Sequence, residues 1–484
     1  MDNLDLITQW TRQRDSFLSG KNSDEIRKMA ESLQTTSESM KFKLVKLQMS
    51  DFRCFPKVSI RFNENLTVFH GINGRGKSTI LEAIASLLSW FITGFWSDDG
   101  AGQTLKTTDI RVRNKAQDEP DADGTETEGT FSCGNSKIAI KLAKSFRSVL
   151  TPKRSDVQGL RELGIMFRVL NATSRIDCPL ILFFSAHRGA SYAKSTKPGE
   201  IEKKARSVLS DAYGSVAYED ALKDNKDSRF FLAWLTANLK RSKEGSTDIA
   251  AQARKQLDAF FQALQSFWSE FETLQLDQSS GFDELQVVVK GQPVTVAQLS
   301  DGQRLTFFLF GEIVWRLTLL NPSRENPLDG NGIVLIDEIE LHLHPQWQVQ
   351  IIDNLRHAFP NLQFIVTTHS PQVLSCVFRE SLINLPETPR PEEQLKSSRL
   401  QTRGLSSNDV LGMVMETPTP PMKIEEGKWF SRCRNAIADY RFSEAHELLT
   451  KIKKHFGENS NEARILTGML EVFKKRKREQ ERLV

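Results

Sequence analysis

Eight residues constrain this chain more than any others: Gly71-Ile-Asn73-Gly74-Arg75-Gly76-Lys77-Ser78. They fit the spacing G-x-x-x-x-G-K-[ST] without a mismatch. The apolar run Leu66-Thr-Val-Phe69 leads in and reads as a buried strand, and Ile80-Leu-Glu-Ala-Ile-Ala-Ser-Leu-Leu88 follows and reads as a helix. Strand, glycine loop and helix together make a phosphate cradle. Backbone N–H groups close around the anion, and the helix N-terminus adds its positive dipole end. In such a cradle Gly71, Asn73, Gly74, Arg75, Gly76 and Thr79 surround the phosphates, Lys77 reaches the outer ones, and Ser78 holds Mg²⁺. A chance glycine-rich turn would lack both flanking elements.

Three later segments extend this reading. Gly332-Ile-Val-Leu-Ile336 is a strand without polar alternation, as expected in a parallel sheet covered on both faces, and it ends in Asp337-Glu338. Ligands of such sheets sit at the carboxyl ends of the strands. Asp337 is therefore placed to hold Mg²⁺ and Glu338 to polarise an attacking water. Leu299-Ser300-Asp301-Gly302-Gln303-Arg304 opens a long apolar helix, with the hydroxyl of Ser300 and the bare N–H of Gly302 available to an anion. Phe364-Ile-Val-Thr-Thr-His369-Ser370 is another buried strand, ending in a histidine.

The order phosphate loop, LSDGQ, Asp-Glu strand and histidine strand resembles the ATP-binding-cassette ATPases. That resemblance implies ATP and Mg²⁺ as ligands. It makes LSDGQ, with Ser300, Gly302 and Gln303, the signature that caps ATP held by a second subunit. His369 becomes the switch histidine at the γ-phosphate, and two heads sandwich two ATP molecules. Leu299 lies 228 positions after Gly71, far more than in compact transporter ATPases. The strand Leu44 to Met49 followed by Phe52-Arg53 resembles the opening of the RecF, Rad50 and SMC heads, which adds Arg53 to the nucleotide-contacting candidates. No sustained heptads fill the middle of the chain, so long-arm tethering is excluded. Asp337-Glu338-Ile-Glu340-Leu-His342-Leu-His344-Pro345 is similar to the turn of overcoming-lysogenisation-defect and related anti-phage ATPases. Beyond Ser370, however, there is no Glu and D-x-D set for a TOPRIM nuclease. Gly404-Leu-Ser-Ser-Asn408-Asp409-Val-Leu-Gly412 and the helical tail after it resemble the PtuA family, the ATPases of Septu anti-phage systems that also occur in some retrons. Asp301 stands where relatives often carry Ser or Gly.

The expected fold is α/β: an ABC-type, RecF/SMC-like head with a helical insertion and a C-terminal helical domain. The expected boundaries are a helical segment at 1–40, the first part of the head at 41–189, the insertion at 190–281, the second part of the head at 282–390, and linker plus helices at 391–484. The resemblance implies a homo-oligomer built on the ATP sandwich and a PtuB-like HNH nuclease partner through which nucleic acid is contacted. A retron context would add a reverse transcriptase and its small DNA. A RecF-like repair ATPase that binds DNA without a nuclease is the alternative, and a scaffold that binds ATP with negligible turnover has the same motifs.

Composition agrees with a balanced soluble protein: 26% charged residues and a net charge of +4. Five scattered cysteines without C-x-x-C spacing point to a reducing cytosol and away from zinc, and the resemblance to anti-phage ATPases implies that this is the cytoplasm of a bacterium. The longest apolar run, around Leu81 to Trp96, carries Glu82 and belongs to the phosphate-loop helix, so no membrane span is expected. Asp118 to Gly129 reads as an acidic surface loop. Leu257, Phe260, Phe261, Leu264, Phe267, Trp268 and Phe271 fall on one helical face, as core packing or as an interface. His342 and His344 suit the turn after the carboxylate strand better than a separate metal site. Arg441 and His446 have the R-x4-H spacing of HEPN ribonucleases, but Phe442 stands where those enzymes usually have a polar residue. Gln103 and Gln117 are candidates for the lobe-linking glutamine.

Overall fold

The computed structural model describes residues 6–18, 23–35, 41–112, 122–146, 149–188, 214–224, 226–245, 247–279, 283–386, 392–415, 425–458 and 460–482. The chain divides into two compact units, Met1–Gly404 and Leu405–Val484. In chain order the first unit runs α1 (Leu6–Leu18), α2 (Ser23–Thr35), β1 (Phe42–Phe52), β2 (Phe55–Arg61), β3 (Leu66–His70), α3 (Lys77–Trp96), β4 (Gly124–Cys133), β5 (Ser136–Ser145), α4 (Gln158–Ser174), β6 (Leu180–Phe184), α5 (Arg229–Arg241), α6 (Asp248–Gln265), β7 (Phe271–Asp277), β8 (Glu284–Val289), β9 (Gln292–Thr295), α7 (Asp301–Leu320), β10 (Gly332–Ile336), α8 (Ile351–Ala358), β11 (Leu362–Thr367), β12 (Leu382–Asn384) and β13 (Glu393–Leu395).

The architecture is α/β around a five-stranded parallel sheet ordered β12-β3-β11-β10-β6. Every residue of β3, β6, β10 and β11 is buried, which is why these strands are apolar runs rather than alternating ones. A second sheet, β13-β2-β1-β4-β5, is antiparallel except that β13 joins β2 in parallel. Helix α3 touches strands of both sheets and packs along α4. It is long and apolar enough to cross a bilayer, yet 72% of its apolar window is buried inside the head, as befits a core helix.

Two expectations need correction. Residues 118–121 lie outside the described residues, but Gly124 to Gly129 is not a loop: it forms most of β4, between β1 and β5. Thr125 and Thr127 point inward and are fully buried, while Glu126 and Glu128 point outward. The acidic composition belongs to one face of a strand with a period of two. The aromatic face that begins at Leu257 is likewise not one helix. Helix α6 ends at Gln265, Phe267 and Trp268 sit in the turn after it, and Phe271 opens β7 of the three-stranded sheet β7-β8-β9. These rings are core. Phe260 meets Phe307 of α7 edge-on at 5.6 Å, Phe231 of α5 lies 5.4 Å from Phe307, and Phe267 stacks on Phe310 at 5.5 Å.

The same helix α7 carries a buried ion pair. Arg316 donates Nε to Glu312 at 3.1 Å, and Glu312 also accepts from the indole of Trp315 at 3.0 Å. Both charged side chains are buried, and Arg316 further donates to the carbonyls of Ala217 and Glu219, which ties α7 to the 215–219 turn. Helices α1 and α2 pack against α4, with Trp10 and Phe17 buried and Arg14 paired with Glu162 at 2.7 Å. The second unit comprises α9 (Ser407–Met413), α10 (Glu425–Ala438), α11 (Phe442–Phe456) and α12 (Asn461–Arg482). The last three helices share a core of Trp429, Phe430, Cys433, Ile437, Leu449 and Leu466 with their neighbours.

Candidate functional site

Three strand ends build the site. At the end of β3 the chain turns through Gly71, Gly74 and Gly76, all at positive φ, into α3. Gly76 has a φ of 87°, and a Cβ there would lie 2.6 Å from both Cys54 Sγ and the ring of Phe55. Only glycine fits the last turn before the helix. Lys77 opens the helix, is buried, and donates its ammonium to the carbonyls of Gly71 at 2.9 Å and Ile72 at 3.1 Å. Burial pulls its pKa below the usual lysine range, against the opposing pull of Asp337, Glu338 and Glu340. Ser78, Asn73 and Gly74 are exposed, and Arg75 and Thr79 are half-buried.

The end of β10 delivers the carboxylates. Asp337 is buried and its N–H donates to Phe184 O at 2.8 Å, continuing the pairing with β6. Glu338 follows at a φ of 47°, a left-handed conformation that a non-glycine residue holds only when its surroundings enforce it. Those surroundings come from β11. Thr367 Oγ1 donates to Asp337 Oδ1 at 2.5 Å and accepts from Glu338 N–H at 2.8 Å, and Ile339 N–H donates to Thr367 O at 3.0 Å. His369, two residues on, donates its backbone N–H to Glu340 Oε1 at 2.5 Å. Burial, and then Lys77, hold the His369 imidazole below its ordinary pKa. Lys77, Asp337, Glu338, Glu340 and His369 therefore interact electrostatically in one place.

Arg188 escaped the sequence reading. It lies in the turn after β6, buried, and donates Nη2 to Glu338 O at 2.7 Å and Nη1 to the carbonyls of Asp337 and Ser185. A guanidinium fork thus grips the backbone of both carboxylate residues. The available signal was positional: Leu180 to Phe184 is an apolar run of the same kind as β10 and is followed by Ser185-Ala-His-Arg188.

Other candidates fall elsewhere. Arg53, at a φ of 49°, is held by Glu82 of α3 and by Asp109, to which its Nε donates at 2.9 Å. Ser300 caps α7 in a capping box: its backbone N–H and its hydroxyl both donate to Gln303 Oε1, at 3.1 and 3.0 Å, and its Oγ accepts from Gln303 N–H. A Cβ on Gly302 would stand 2.8 Å from His342 O. The signature residues line a pocket of about 690 Å³ with His342, Leu343, His344, Gln346 and Trp347, and no phosphate-loop residue lines it. The signature and phosphate loop of one chain thus do not share this pocket. Gln103 leans on α3, its N–H donating to Ser89 Oγ at 2.7 Å. Gln117 lies outside the described residues. Arg441 is engaged by Asp439 and Glu444, and His446 is exposed on α11. Among the described residues no three His, Cys, Asp or Glu side chains converge as a metal-ligand group.

The residues present fit a magnesium-nucleotide. The loop offers glycine backbone and a buried ammonium, the end of β10 offers a buried carboxylate, and two polar atoms interacting with this cluster, His70 Nε2 and Glu340 Oε2, are buried without hydrogen-bond partners among the described residues.

Residues 66–375 match the family model described as AAA domain, putative AbiEii toxin, Type IV TA system. The chain is 26% identical over 422 residues to the retron Vc95 probable ATPase of Vibrio cholerae serotype O1 biovar El Tor, covering 79% of this chain and 80% of that protein. It is 30% identical over 136 residues to the Septu protein PtuA of Bacillus mycoides strain KBAB4, covering 28% of this chain and 19% of that protein. Among solved structures it is similar to an SmcHead bound to the C-winged helix domain of ScpA, with a TM-score of 0.45, 15% identity, and coverage of 74% of this chain and 98% of that one.

Two outcomes are expected from the site itself. Arg188→Ala removes the donors to Asp337 O and Glu338 O. Each such charge-assisted bond is worth about 1.5–3 kcal/mol, so the thermal midpoint falls, and any ATP turnover drops through kcat rather than KM in steady-state assays. The second outcome concerns His70, whose imidazole is pushed down to about 4 by burial, with Lys77 and His369 adding to the effect. The unfolded chain then binds a proton below about pH 6.5 that the folded chain refuses. Stability is therefore full above that pH and is lost as pH falls toward 4. Between pH 7 and 5 the loss through this group is about 2 kcal/mol. His70→Leu is expected to flatten that acid limb in calorimetric unfolding at the two pH values.

Proposed function

The chain belongs to the AAA-domain family described as AAA domain, putative AbiEii toxin, Type IV TA system, and from that premise we propose that it is the ATP-binding and ATP-hydrolysing subunit of an anti-phage defence complex. The observation that carries this reading is the convergence of Lys77, Asp337, Glu338 and His369 at the ends of three adjacent parallel strands. The phosphate-loop N–H groups and Lys77 bind the phosphates and fix their orientation. Ser78 and Asp337 would hold Mg²⁺, which neutralises charge on the transferring phosphoryl group when bound. Glu338, aimed by Thr367 and Arg188, takes the proton of the attacking water, and His369 donates to the outermost phosphate. Arg53, buttressed by Glu82 and Asp109, orders the strand turn against the loop.

Two copies close head to head. In that dimer Ser300, Gly302 and Gln303 complete the site of the second subunit, a reading supported by a signature pocket that no phosphate-loop residue lines. Resemblance to retron ATPases and to Septu PtuA supports a defence context. In that context the chain holds a PtuB-like HNH nuclease and restrains it according to nucleotide state, because a sandwich dimer opens and closes with ATP. In this reading nuclease chemistry belongs to the partner. The bacterial cytoplasm is the place for such a complex.

Lys77→Ala is expected to weaken ATP binding by at least about tenfold, the equivalent of one charge-assisted hydrogen bond. Calorimetric titration checks this, and unchanged affinity would sink the assignment. Glu338→Gln is expected to bind ATP normally and to slow turnover by about 10²–10⁴-fold. It should accumulate the closed dimer in analytical ultracentrifugation. Turnover at the parental rate would remove Glu338 as the base. Copurification of a small HNH protein, with its release or retention changing between ATP and no nucleotide, tests the partner.

A further inference from the structure

A cluster of cations lies on the antiparallel sheet, whereas the phosphate loop follows a strand of the parallel one. Lys46 of β1, Ser59 and Arg61 of β2, and Gln394, Lys396 and Ser397 at β13 line a cleft of about 460 Å³. The register explains why they meet. Lys46 stands directly opposite Arg61, and Ser59 directly opposite Gln394, so these side chains share one face, and Lys396 follows two residues after Gln394. Like charges directly opposite across a strand pair are destabilising. Nearby, Lys57 of β2 pairs with Glu392 at 2.7 Å, and Lys141 of β5 and Lys153 share Glu126 of β4. Lys46, Arg61 and Lys396 form no ion pair among the described residues. The wall made by β13 is fixed in place, since Ser397 bridges to Ile383 and its hydroxyl donates to Glu380 O at 2.8 Å.

Three cations that form no ion pair among the described residues, beside hydroxyl and amide donors, match the chemistry of phosphate. We propose that this cleft is a phosphoryl-binding site separate from the phosphate loop, and that it grips backbone phosphates of a nucleic-acid strand. The volume is enough for about one or two nucleotide units. The cleft gives the chain a direct hold on nucleic acid that does not pass through a nuclease partner.

The test uses the full-length protein with ATP saturating the phosphate loop. The probes are a fluorescein-labelled single strand of about 20 nucleotides, followed by anisotropy from about 50 to 200 mM salt, and inorganic pyrophosphate as competitor and as a direct calorimetric ligand. The variant is Lys46→Gln/Arg61→Gln/Lys396→Gln. Its ATP affinity and thermal midpoint serve as the folding check, with the single variants used should the triple variant fail it. The expected result is at least about a tenfold loss of strand affinity and a salt slope shallower by about 2, because three cations no longer displace counterions from the strand. Pyrophosphate binding that is lost in the variant, without strand binding by the parent, would assign the site to free phosphate compounds. Binding of neither probe by the parent, or equal binding of both by variant and parent, overturns the proposal.

Discussion

The hydroxyl of Thr367 fastens the site together. It donates to the side chain of Asp337 and accepts from the backbone of Glu338, so the end of β11 dictates where both carboxylates of β10 point. A hydroxyl can do both at once because it carries one proton and two lone pairs. The parallel register of Ile336 with Val366 and of Thr367 with Phe69 then brings the third strand end, and with it the phosphate loop, alongside. Arg188 completes the frame from β6 by holding the two carbonyls that the left-handed turn at Glu338 exposes. Four neighbouring strands thus each contribute one element to a single backbone arrangement.

Electrostatics keep that arrangement poised. Lys77 is buried, and three carboxylates oppose the desolvation of its ammonium. His70 and His369, both held down by burial, stay neutral near neutral pH, so they add no positive charge against Lys77. Neutral imidazoles beside a lysine can accept as well as donate hydrogen bonds.

The signature helix is coupled to this frame by packing. Phe307, Phe308 and Phe310 of α7 stack with rings from α5, α6 and the turn after α6, and Trp347, just beyond the carboxylate turn, meets Phe267 at 5.1 Å. Arg316, paired with Glu312 one turn back, donates to the carbonyls of Ala217 and Glu219 and so pins the same helix to the 215–219 turn. Aromatic packing is thus continuous from Trp347 through Phe267 to Phe310 of α7.

The sequence by itself determined the parts whose chemistry is local. Gly71 to Ser78 needs its own glycines and its own lysine, and β3, β10 and β11 announce themselves as unbroken apolar runs. Asp337, Glu338 and His369 could be assigned to strand ends because each closely follows such a run. The structure decided what depends on neighbours distant in sequence. Arg188 is 149 residues from Asp337 and gains its role only from the pairing of β6 with β10. Gly124 to Gly129 looked like an acidic loop because charge on one face of a strand resembles charge in a coil until β1 and β5 pair with its two edges and α3 packs against the strand. The aromatic run past Gln265 kept a helical spacing although the helix had ended, since burial against α7 selects aromatic residues whatever the backbone does. The cluster of Lys46, Arg61 and Lys396 exists only once strand register brings residues 15 and 350 positions apart onto one face.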